Sequence, residues 1–406
     1  MRPLFGKIIG MKMKSIVFCA SLALFVWASD ACALWGLDSV QSAAGEKVIS
    51  ALTIDLSGLK YYPAPKEALS PLDLLAKEAT NLDRNISVTE LAPLIDFIVS
   101  NAYTGLAWEL PCSDGVFGAM AIGVLTNSFE ERKLFCSPLL PDHAVYSTLR
   151  YSLELSGKSK AIGESMFSAP EGILTRDYSL NYDIIAPNET SGAYYCYTNT
   201  RLYVQGNFKG HRVMLTGTLM ETPSSISQKG ALIDAQYPGL YFYSSEKGLT
   251  LPGAGWMETT MDYYRSFTVS VELDKDRYAF ATMSWLSAGW KGINVLRTHH
   301  IYAVLKEIIK ELQTYGGSGL NTDELQKCIS ASERLSDEEI EAEYRKYCAF
   351  CEKKAGKSLI SVNMDSYKRI FNKKDLEDLP KELRRALVVQ EKVRILKNTP
   401  TWSKAE

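Results

Sequence analysis

Histidine is scarce in this chain: its 406 residues hold four, His143, His211, His299 and His300. A serine or cysteine nucleophile usually takes its base from histidine, so any such centre must be built on one of these positions. His299 and His300 are adjacent, point in different directions on a helix and are poorly placed to share a metal. No H-E-x-x-H stretch occurs, and Gly163-Glu164-Ser165-Met166-Phe167 lacks the second glycine of a nucleophile elbow. Gly157-Lys158-Ser159 matches the end of a phosphate loop, but Ser152 stands where that loop needs its first glycine. No motif implies a cofactor, and the balance leans away from an enzyme.

An excess of one charge is missing too. Lys and Arg total 45 against 47 for Asp and Glu, a net charge of −2. Without a basic field to hold phosphates, nucleic acid is set aside as a partner. Beyond the first thirty or so residues there is also no long apolar run. The nearest, Gly115 to Thr126, falls well short of the roughly 20 residues that cross a bilayer. It reads as a buried strand or core helix, so no span is expected in the mature chain. Internal repeats and low-complexity tracts are absent.

What the chain does have begins with an export signal. Arg2, Lys7, Lys12 and Lys14 precede an uncharged apolar run from Ser15 to Trp27, and Ala31-Cys32-Ala33 offers a cleavage site. Met11 or Met13 would also start a complete signal, and cleavage after Ala28 would serve as well. Residues 1–33 therefore read as a leader, and the rest as an exported chain, periplasmic or extracellular. Hydrophobic residues at 46% and charged residues at 23% match a folded globular chain.

Cysteine use fits that compartment. Cys19 and Cys32 fall in the leader, leaving Cys112, Cys136, Cys196, Cys328, Cys348 and Cys351 as disulfide candidates. Cys112 with Cys136 is the first pairing expected, because they bracket one segment. Cys328 with Cys348 or Cys351 is the next. The C-x-x-C spacing of Cys348 and Cys351 lies inside a predicted helix with no strand before it, which suits a structural role better than a redox dithiol. The sequons at Asn85 and Asn188 matter only in a eukaryotic secretory route.

Periodicity divides the mature chain into zones. Residues 34–144 read as mainly helical, with helices over Pro71–Asn81 and Ser87–Asn101; Ser87 and Glu90 have capping-box spacing. Residues 145–315 alternate apolar and polar over Thr148–Leu155, Asp177–Ile184 and Ser266–Leu273, the mark of antiparallel strands with one covered face. Asp274-Lys275-Asp276 turns the chain into another strand through Trp285. Tyr194–Gln205, Arg212–Met220 and Leu240–Tyr243 are further strand candidates. An amphipathic helix follows from Thr298, its stripe formed by Ile301, Val304, Leu305, Ile308 and Leu312, and it is expected to lie on the sheet's apolar face. Residues 316–321 read as a flexible linker and 322–406 as a C-terminal helical extension, with a second capping box at Ser336 and Glu339. The fold class is α+β: a central antiparallel sheet with a helix after its last strand, N-terminal helices and a C-terminal helical extension.

Aromatic residues crowd the β zone. Most suit strands on propensity alone. Trp256 and Trp290 differ, since each stands in a glycine-rich loop where a large ring is less readily buried. The expectation is a non-catalytic binding protein, with Trp256 and Trp290 at the mouth of a cleft for a hydrophobic small molecule, or with an envelope protein as partner. The alternative is a secreted or envelope hydrolase whose site is assembled from distant residues.

Overall fold

A computed structural model describes residues 59–84, 86–113, 115–126, 149–157, 174–186, 193–233, 241–251, 255–290, 293–294, 296–316, 322–355 and 371–396. The leader, Cys136, His143 and most of the 316–321 linker lie outside them. The fold is α+β, with a large, mostly antiparallel sheet, a helix after its last strands, helices before it and helices at the C-terminal end.

In chain order the elements are β1 (Tyr61–Pro63), α1 (Lys66–Lys77), α2 (Val88–Asn101), β2 (Ala107–Glu109) and β3 (Phe117–Leu125). Next come β4 (Leu149–Gly157), β5 (Thr175–Ile185), β6 (Ala193–Phe208), β7 (His211–Met220), β8 (Gln228–Leu232) and β9 (Tyr241–Lys247). A short ribbon, β10 (Leu249–Leu251) and β11 (Gly255–Met257), leads to the long hairpin β12 (Thr260–Asp274) and β13 (Arg277–Trp290), then β14 (Ile293–Asn294). The helices α3 (Thr298–Gly316), α4 (Thr322–Glu333), α5 (Asp337–Ala355), α6 (Lys373–Glu377) and α7 (Lys381–Leu396) complete it. The main sheet runs β1-β2-β3-β13-β12-β7-β6-β5-β4, and the β8–β9 pair branches from the first residues of β6.

Local chemistry explains several boundaries. In the capping box of α2 the Ser87 N–H donates to Glu90 Oε2 at 2.7 Å and the Glu90 N–H donates to Ser87 Oγ at 3.4 Å. The equivalent box opens α5 at Ser336 and Glu339. Helix α1 starts before Pro71 instead of at it. Proline cannot donate to the carbonyl of Glu67, and the Ser70 hydroxyl bonds that carbonyl at 3.1 Å. Between β6 and β7 the chain turns on Lys209 and Gly210, both at positive φ, the geometry that suits a two-residue hairpin.

The region 34–144 contributes strands as well as helices. Its Gly115–Thr126 stretch forms β3, a strand apolar on both faces that pairs with β2 and β13. Strands of that kind must be covered on both sides. On one face α1 and α2 bury Leu69, Leu72, Leu91, Leu94 and Ile98 against Met120, Ile122, Phe267, Val269, Val271 and Met283. Each such aliphatic side chain contributes roughly 1.5–3 kcal/mol through burial. On the other face lies α3, with Ile301, Tyr302, Leu305, Ile309 and Leu312 against Ala119, Ala121, Leu125, Tyr278 and Phe280. So α3 does not lie on the face of Phe267 and Val269, which α1 and α2 occupy. Its stripe is rotated from the expected one: Tyr302 and Ile309 turn inward, while Val304 is 41% exposed. Small residues on β3 make the approach possible, since a Cβ at Gly123 would come within 3.2 Å of Ile309.

The C-terminal helices fold back onto the β8–β9 pair. Ile340, Tyr344, Tyr347 and Phe350 of α5, with Leu376, Leu383, Leu387 and Val388, form a core with Tyr241, Phe242 and Tyr243. The Tyr347 hydroxyl donates to the Tyr241 carbonyl at 2.6 Å, and the Tyr344 hydroxyl to that of Leu376 at 2.6 Å.

The first turn of α3 carries a pH dependence. His300 Nδ1 accepts from the Arg297 N–H at 3.2 Å, which requires the neutral ring. Burial, the neighbouring His299 and the Arg297 charge lower its pKa to about 4. Between its ordinary value of 6.5 and about 4 the unfolded chain binds a proton that the folded chain does not. Acidification through that window should cost on the order of 2 kcal/mol after allowance for solvent screening. In His300→Asn, which keeps an acceptor but does not titrate, urea unfolding should show a flatter acid limb; an unchanged slope would contradict this assignment.

Candidate functional site

The alternation in β5, β6, β7, β12 and β13 places a grid of polar side chains on one face of the sheet, because directly opposed residues share a face. Ser179 lies opposite Arg201, Arg201 opposite Thr218, Thr218 opposite Ser266, and Ser266 opposite Ser284. The next row reads Asp177, Tyr203, Thr216, Thr268 and Thr282. Asn181 faces Asn199, and Asp183 faces Tyr197.

Such a face would ordinarily meet water. Here Ser179 and Asn199 are 0% exposed and Asp183 is 1% exposed, while Asn181, Arg201, Tyr203 and Gln205 are also buried. Thr216, Thr218, Tyr264, Ser266 and Thr268 are half-buried, forming a more accessible strip along β7 and β12. Beyond it, Thr282 and Ser284 of β13 are buried again.

Most of these groups are bonded. Arg201 Nη2 donates to Asp183 Oδ2 at 2.9 Å, a buried ion pair. The Ser179 hydroxyl donates to Asn181 Oδ1 at 2.6 Å, and the Asn181 amide to Ser152 at 3.3 Å. The hydroxyls of Thr216 and Thr268 meet at 2.5 Å, and Ser284 donates to Ser266 at 3.0 Å. The Tyr264 ring leans across β7 onto Tyr197, with centroids 6.0 Å apart at 76°. Burial pushes the Tyr264 phenol above its ordinary range; the Asp183 carboxylate adds to that, and bonds with Ser266 and Ser284 oppose it. One residue stands out. Both the oxygen and the nitrogen of the Asn199 amide are buried without a hydrogen-bond partner, as is Asp183 Oδ1. A buried amide in that state costs about 1–3 kcal/mol per unmet group.

Trp256 lies in the β10–β11 ribbon opposite Thr250, and Trp290 ends β13 opposite Ile293. The β12–β13 ladder closes at Thr260 and Gly289, so the backbone puts both tryptophan positions at one end of the sheet. Tyr195 belongs to that end, its hydroxyl 2.7 Å from that of Thr259.

The other sequence candidates lie elsewhere. Cys112, Cys196, Cys328, Cys348 and Cys351 are free thiols, and no two of them are bonded. Burial raises the Cys348 and Cys351 thiols, the reverse of a lowered redox thiol. His211 Nδ1 contacts the Glu272 carbonyl at 2.6 Å on the β7–β12 pair. Among the described residues no group of three or more His, Cys, Asp or Glu is arranged to hold a metal ion. Nor is any helix among them long and apolar enough to cross a membrane, which says nothing of strands. The polar grid itself was read from sequence as a solvated face. The signal that could have marked it was Asn and Asp in strands, where their propensity is poor. It was strongest in β5, which carries Asp177, Asn181 and Asp183. No family model and no curated protein matches this chain.

The ion pair has a measurable signature. Arg201→Met strands a buried carboxylate and should lower the unfolding free energy by about 3–5 kcal/mol. The double variant Arg201→Met/Asp183→Leu should recover most of that in denaturant titrations; simple addition of the two losses would contradict the pairing.

Proposed function

We propose that the chain, once exported, is a non-catalytic binding protein whose ligand lies on the polar face of the sheet at Asp183, Asn199 and Tyr264, with Trp256 and Trp290 at the mouth. The observation that carries this reading is the Asn199 amide, closed off from water with both polar atoms unmet. Native folds rarely leave such a group unpaired, and a ligand that supplies the missing partners must displace the side chains packed over it, since the amide is closed even to water as it stands. A polar face favours a ligand with hydrogen-bonding groups over the purely apolar ligand that the strand patterning alone suggested. Binding is favoured over hydrolysis by the histidines. His211 lies on the opposite face with Nδ1 on the Glu272 carbonyl, and His300 Nδ1 is taken up by the Arg297 N–H in the first turn of α3, so neither Nδ1 is offered to a nucleophile.

Native mass spectrometry of protein purified from its exported location tests the reading. The expected spectrum shows mass above the mature chain that disappears on denaturation. In Asn199→Leu the added mass should be lost while the melting temperature stays level or rises, because the leucine buries no unmet amide. A bare mature mass for the unaltered protein would contradict the proposal.

A further inference from the structure

We draw no further inference here: the strongest candidate, the cleft between the first turns of α5 and α7 lined by Asp337, Glu341, Arg345, Lys381 and Arg384, carries nothing, because its carboxylates are already paired with its own bases, Asp337 with Lys381 and Glu341 with Arg384 and Arg345, and among the described residues no unmet buried group lines it.

Discussion

A polar side chain that water cannot reach must find its partners inside the fold, and this constraint organises the centre of the molecule. Asp183, Asn199 and Arg201 sit on β5 and β6 at positions where alternation alone would have left them in solvent. Desolvating the Arg201–Asp183 pair is costly unless the two stay together. The hydroxyls of β7, β12 and β13 extend the network row by row, each held by the register of the strand beside it. Among the described residues the Asn199 amide has both of its polar atoms buried and unmet, with Asp183 Oδ1 and Gln205 Oε1 unmet on the same face, and this is where the architecture departs from full satisfaction.

The rest of the fold holds that face in place. The β3–β13 half of the sheet is apolar on both sides, so α1 and α2 clamp one face and α3 the other. The β8–β9 branch grows from the start of β6, and the C-terminal helices bury their aromatic faces against it. Strand β6 thus links three regions: the polar grid, the α1–α2 core and the C-terminal core. A site on such a strand rests on rigid structure instead of a loop.

Much of this could be read from the residues. Both capping boxes, the β12–β13 hairpin, the α+β class and the helix beginning at Thr298 all follow from local pattern, because each depends on neighbours a few residues apart. The face that α3 occupies was not legible. It depends on β3 being apolar on both sides and on Gly123 leaving room for Ile309, which are facts about distant segments. The polar grid was hidden for a related reason. Alternation tells which residues share a face, but whether that face meets water depends on everything packed around it. Asp177, Ser179, Asn181 and Asp183 therefore look like a solvated edge until β6 is laid beside them. Trp256 and Trp290 stood out in sequence by their glycine-rich loops, and the backbone brings both to one end of the sheet. Asn199, the residue on which the functional reading turns, carried no sequence signal beyond being an asparagine in a strand.

The most direct test is a high-resolution crystal structure of the protein taken from its exported location without denaturation. The account predicts an organic molecule in the density, with oxygen atoms within hydrogen-bond distance of both Asn199 Oδ1 and Nδ2. A lone ordered water on that amide, or an amide turned onto a protein partner, would contradict it.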